Sequence, residues 1–190
     1  MLRDQFNQDQ YDLYFDVRRS IRYHDRRRSF FEIMQRVTSV LTILMAGSVL
    51  FDLGKTGVTA NWLIYLSVLA ALLATFDMVI GYAGKADLHR SLKVRFGKLE
   101  MAIIAGGDSQ KEWDGHQLQK LEIELDEPAI YRALDLLCFN ELANADGINK
   151  ENFVKLNFIH RLTCHFLHWP NISNNIKTNI ELSANQSQDA

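Results

Sequence analysis

Four side chains near the C-terminal end of the chain are of types that bind metal. His160, Cys164 and His168 recur at intervals of four, with His165 adjacent. On a helix this spacing aligns three ligands on one face, and zinc accepts imidazole and thiolate in tetrahedral sites when the remaining ligands come from elsewhere. A packed or interfacial helix produces the same pattern, and no metal is expected. Asn140, Glu141 and Asp146 suggest an acid/base pair, but no histidine, lysine or nucleophile accompanies them at a telling spacing. The chain has no P-loop, GxGxxG, GxSxG or paired CxxC motif. These residues predict no catalytic centre, no metal and no cofactor, and the protein is read as a non-enzyme.

The elements that would position any site are dominated by two apolar stretches. Val37 to Phe51 lies between Arg36 and Asp52 without a charge, and its roughly 15 residues make about 22 Å of helix. The second stretch runs from Thr56 to Phe76, about 21 residues without a charge, and continues beyond Asp77 as Met78 to Gly84. The intervening DLGKTGV carries two glycines, so the two must turn back on each other. Basic residues crowd both outer ends: Arg22, Arg26, Arg27, Arg28 and Arg36 precede the hairpin, and Lys85 and Arg90 follow it. The turn holds only Lys55 against Asp52. A soluble core hairpin has no reason for this asymmetry, whereas the positive-inside rule demands it. The sequence therefore predicts an all-α protein: a two-span membrane hairpin over 37–84 with long cytoplasmic helices packed as a bundle. Residues 1–36 form a cytoplasmic helix, 85–169 a cytoplasmic helical region and 170–190 a flexible polar tail. Both termini are expected on the cytoplasmic side of the inner (plasma) membrane, with the lipid bilayer as the first partner.

Polar groups in and beside the spans are the functional candidates. The arginines read as an anchor on anionic lipid headgroups, or as a ring around a pore mouth or a site for an anionic ligand such as a nucleotide. Ser39, Thr42 and Ala46 follow helical spacing along one face of the first span. Such residues let helices approach closely, within the hairpin or toward partner subunits. Asp77 has two placements. With the second span centred on Leu73 it lies about 6 Å from the midplane, where a carboxylate must be neutral, paired or facing water. With the span ending at Phe76 it sits at the interface and requires no special account.

The 190 residues suit one compact unit rather than two domains, although a membrane part and a soluble part can share it, and the net charge of −2 hides a segregation. Glu122, Glu124, Asp126, Glu127, Asp135 and Glu141 gather well after the basic flanks, a balance unlike that of a nucleic-acid binder. Cys138 and Cys164 are expected to be reduced packing residues. Met1 to about Asp9 is polar and expected to fray, and no secretory signal is evident. From Gln10 to Arg36 no proline or glycine interrupts a helix leading into the first span. Leu88, Leu92, Phe96, Leu99 and Ile103 predict an amphipathic helix that Gly106 and Gly107 end. Asp108 or Ser109 can cap a helix striped by Leu118, Leu121 and Leu125. Asp126 before Pro128 reads as the cap of the next, which stops at Gly147. Asn149 can cap a last helix reaching about Trp169.

With hairpin and flanks placed, the chain resembles the SLATT family of two-transmembrane effector domains associated with nucleotide-messenger and other prokaryotic conflict systems. The likeness rests on RRSIRYHDRRRSFFEIMQRVTSVLTILMAG entering the first span, FDMVIGYAGKADLHRSLKVRFGKLE leaving the second, and LLCFNELANADG followed by an apolar helix ending in HFLHW. The resemblance implies a homo-oligomeric membrane effector that opens pores or disrupts the membrane when a separate sensor protein or a nucleotide messenger signals infection. It carries no catalytic residues. A different class remains open beside it, a membrane-bound scaffold or accessory subunit that recruits a cytosolic defence complex without conducting.

Overall fold

The computed structural model describes residues 6–56, 61–107, 109–148, 151, 153–169 and 172. Its helices are α1 (Gln8–Thr56), α2 (Asn61–Ile80), α3 (Tyr82–Ala105), α4 (Gln110–Glu124), α5 (Arg132–Ala145) and α6 (Phe158–Thr163), and the described residues contain no strand. The all-α expectation holds. The chain divides into two compact units, a bundle from Met1–Asp25 and Ser91–Ala190 and a hairpin from Arg26–Arg90. The first 25 residues thus share a unit with the chain from Ser91 onward.

α1 begins where Asn7 can cap it. Asn7 Oδ1 accepts the Gln10 N–H at 2.9 Å, and Gln10 Oε1 accepts the Asn7 N–H at 3.0 Å, a reciprocal capping box. The expected fraying through Asp9 is corrected from Phe6 onward, because the Phe6 ring lies 5.5 Å from Tyr14 and 5.4 Å from Trp113.

The density of apolar residues in YDLYFDV has a packing reason: this turn of α1 is covered from several directions. Leu13, Tyr14 and Val17 join Leu92, Phe96, Leu99 and Ile103 of α3 and Trp113 and Ile123 of α4 in one cluster. Tyr11 and Phe15 pack on Leu142 and Ala143 at the end of α5. Tyr23 meets Ala133, Leu134, Leu136 and the buried thiols of Cys138 and Cys164. The α3 stripe read from the sequence is buried from Leu92 onward. It packs inside this chain, on α1 and α4.

Polar pairs fix the register between α1 and the later helices. Arg18 Nη1 donates to both carboxylate oxygens of Asp146 at 3.0 Å, and Tyr11 Oη donates to the same carboxylate at 3.1 Å. Burial is the largest influence and works against the charged form of Arg18, but the hydrogen bond and charge of Asp146, together with Tyr14 and Glu100, outweigh it and raise the pKa. His24, 1% exposed, stacks on Phe96 at 5.6 Å, and its Nε2 lies 2.9 Å from Glu127. Tyr23 Oη accepts the Tyr131 N–H at 3.0 Å.

Those two contacts explain why α5 starts late. The expected cap at Asp126 is not used, since Glu127 to Tyr131 runs without helix and α5 begins at Arg132. Glu127 is held by His24 and the Tyr131 amide by Tyr23, so the backbone has partners without a helical turn. In α4, Ser109 is the N-cap, its hydroxyl bonding the Glu112 carboxylate at 2.9 Å. The expected stripe is turned outward, however. Trp113 and Ile123 are buried, whereas Leu118, Leu121 and Leu125 are exposed. The last helix is shorter than the sequence predicts, ending at Thr163 instead of near Trp169. Asp108, Asn149 and the tail beyond Ile172 lie outside the described residues.

Asp135 is largely enclosed, 3.2 Å from Arg19. Burial raises its pKa above the ordinary 3.8, Arg19 and Arg132 oppose the rise, and the like charges of Asp16 and Glu127 add to it. The folded state therefore holds this proton more tightly than the unfolded chain. Stability from this group is fully present below its unfolded pKa and is lost as pH rises through the folded value. Asp135→Asn is expected to flatten the acid side of a pH series of denaturant midpoints, and an unchanged slope would remove Asp135 as its source.

Candidate membrane hairpin and its basic collar

The hairpin unit hides one narrow line of side chains and exposes the rest. Along α2 the buried and half-buried residues are Leu63, Leu66, Ala70, Leu73, Asp77 and Ile80, at alternating intervals of three and four. Thr38, Thr42, Met45, Ser48 and Val49 are half-buried along α1. Alternating threes and fours make the seam of a knobs-into-holes pair. Outside this seam the side chains are apolar and exposed, among them Ile43, Leu44, Leu50, Phe51, Trp62, Tyr65, Val68, Leu72 and Phe76. Both helices are long and apolar enough to cross a membrane, and 0% and 11% of their most apolar windows are buried. A soluble core helix hides such side chains. An apolar surface this continuous calls for lipid or another copy.

The hydroxyls within the apolar region bond to their own helices. Thr38 Oγ1 lies 3.0 Å from the carbonyls of Met34 and Gln35, Ser48 Oγ donates to Met45 O at 2.7 Å, and Ser67 and Thr75 donate to Ile64 O and Ala71 O at 2.8 Å. Such back-bonding lets a hydroxyl sit in hydrocarbon without a lost hydrogen bond. The face expected from Ser39, Thr42 and Ala46 is split: Thr42 is on the seam, while Ser39 and Ala46 are exposed.

Asp77 also lies on the seam, half-buried between Leu73 and Ile80. Among the described residues its carboxylate has no hydrogen bond or ion pair. Its level follows from contacts at the open end of the hairpin, where Phe31 meets Tyr82 and His89. In an antiparallel pair, counting from Tyr82 back to Asp77 brings α1 from Phe31 to Arg36, and counting from His89 brings it to Ile43. Asp77 is therefore level with the turn of α1 that includes Thr38 and Thr42, between the arginine flank and the middle of the apolar stretch.

α2 ends at Ile80, short of the expected Gly84. Gly81 has φ +64°, in the left-handed region that a side chain resists. Its N–H still donates to Asp77 O at 2.9 Å, and its carbonyl accepts the Lys85 N–H at 3.0 Å. The ladder thus carries across the junction between apolar α2 and basic α3.

Below that junction lies the collar. The Arg27 guanidinium, on a side chain only 5% exposed, sits 4.6 Å from the centroid of Phe31. The His89 ring stacks on the same phenyl at 5.7 Å and 15°, and Lys85 Nζ approaches it to 5.8 Å. Glu32 pairs with both Arg28 and Arg90 at 3.3 Å. Arg26, Arg27, Arg28, Arg36, Lys85 and Arg90 thus outnumber Glu32 and Asp87 at the end of the hairpin where both strands of chain leave it. Arg22, read with this flank, is half-buried in the bundle unit. The aromatic cage was not foreseen. Its sequence signal is Phe30-Phe31 one residue after the arginine triplet, with Lys85 and His89 four apart. His89 takes the inward position that Leu88, 40% exposed, was expected to fill.

The three metal-type residues are not brought together. The break after Thr163 removes His168 from helical register; its ring instead meets Tyr131 at 6.1 Å, while His160 meets Trp169 at 4.8 Å. The Cys164 thiol points to Arg161 O at 3.2 Å. Among the described residues no group of three or more His, Cys, Asp or Glu is placed to hold a metal ion. Asn140 uses both ends of its amide on Val154, at 2.8 and 2.9 Å, and Asp146 is bound by Arg18 and Tyr11. Comparison with protein-family models, curated proteins and solved structures returned no match.

Proposed function

We propose that this chain is a membrane effector of a prokaryotic antiphage or conflict system, which oligomerises and opens a pore in, or disrupts, the inner membrane on activation. The observation that carries this reading is a hairpin with an apolar exterior and Asp77, Thr38 and Thr42 on its inner seam. An unpaired carboxylate there costs a few kcal/mol unless it meets water or a partner. Two helices cannot surround a water path, so several copies must contribute. In the resting hairpin the seam is closed. Parting it would present Asp77 and the threonine side of α1 to a lumen shared between copies.

The basic collar supports an orientation with both termini cytoplasmic, each charge contributing about 1 kcal/mol near anionic lipid. The resemblance to the SLATT family supports the effector role and an activating signal from a separate sensor protein or nucleotide messenger. The full chain in vesicles loaded with a self-quenching dye should release it once oligomers form. Retained dye, together with a stoichiometric cytosolic partner on purification, would favour the scaffold instead.

A further inference from the structure

The bundle unit carries two apolar ridges that it leaves uncovered, and their rims differ in charge. On α4, Leu118 and Leu121 are 67% and 51% exposed, and Leu125, just beyond the helix, is 86% exposed. Exposed Asp114 and Glu122 lie on the same side of the helix by three- and four-residue spacing, where they outnumber exposed Lys111. On α6, Phe158, Ile159 and Leu162 are 78%, 62% and 67% exposed, with exposed Arg161 among them and exposed Lys155 just before. Since each ridge is open, neither covers the other within one chain.

We infer that the leucine ridge of α4 docks on the α6 ridge of a second copy, acid rim against basic rim. Like rims would repel in a ridge-to-same-ridge contact, whereas the unlike pair attracts and fixes the choice of surface. Because the two surfaces differ, the contact is head-to-tail, and each copy keeps one free surface of each kind for the next. Repetition closes a ring if the rotation allows it, which suits several hairpins around one lumen. The inference rests on the oligomeric reading above and specifies its cytoplasmic contact. A standard interface covers about 800 Å² on each partner, more than three leucines supply, so this contact adds to association of the spans.

The test uses the full chain in membranes, with two differently tagged copies bearing Leu121→Cys and Leu162→Cys; the native Cys138 and Cys164 are buried. Oxidation should give a covalent dimer only when both variants are co-expressed. Glu122→Arg should weaken this cross-link about tenfold, and adding Arg161→Glu on the other copy should restore it. A dimer from Leu121→Cys alone would overturn the head-to-tail arrangement. An intact oligomer in detergent without the mixed cross-link would overturn the contact while leaving the effector reading standing, and a monomer in membranes would overturn both.

Discussion

Asp77→Asn, which keeps the side chain's shape and removes its charge, is expected to change ion leakage through reconstituted protein by about tenfold, the effect of roughly 1.4 kcal/mol on a barrier. Expression and insertion should be unaffected. Asp77→Leu should go further and separate activity from stability. Leucine would complete the seam of Leu63, Leu66, Ala70, Leu73 and Ile80, tightening the closed hairpin while leakage is lost. Thermal unfolding in detergent and dye release from vesicles read these two quantities independently. If both variants leak like the parent, the carboxylate lies at headgroup level and has no part in conduction.

The largest loss of stability is expected at Phe96. Its side chain is fully buried among Leu92, Leu99, Val17 and the His24 ring, and Phe→Ala in such a site costs about 3 to 5 kcal/mol. A domain stable by about 5 to 15 kcal/mol would lose a large share of that. Phe96→Ala should therefore lower the denaturant midpoint of the bundle helices while the protein still fractionates with membranes, because the hairpin's apolar exterior does not depend on this residue. A parent-like midpoint would show that the cavity collapses around the smaller side chain.

The periodic features of the chain were legible before any coordinates. The α1 run without proline or glycine, the charge-free stretches, the α3 stripe beyond Leu92 and the glycine stop near 106 all follow from local propensity and apolar period, and each is present. The misreadings have a common cause in tertiary contacts that period does not encode. Pro128 suggested a helix start, but His24 and Tyr23, more than 100 residues earlier, hold Glu127 and Tyr131 in a non-helical path. The leucines of α4 promised a core face, yet Trp113 and Ile123 take it, packed in the cluster around Val17. For the hairpin, spacing identified Asp77 and Thr42 as polar groups in the apolar region. Only the contacts of Phe31 set the register that puts them at a common level.

A hairpin that crosses the membrane twice with both ends on the cytoplasmic side is tested most directly by site-directed labelling. Cysteine is placed singly at Thr56, the end of α1, and at Ser109, the cap of α4, after Cys138 and Cys164 are replaced. In intact spheroplasts an impermeant maleimide should label Thr56→Cys, and it should reach Ser109→Cys only after the membrane is opened. Labelling of Ser109→Cys from outside, with Thr56→Cys protected, would contradict the account.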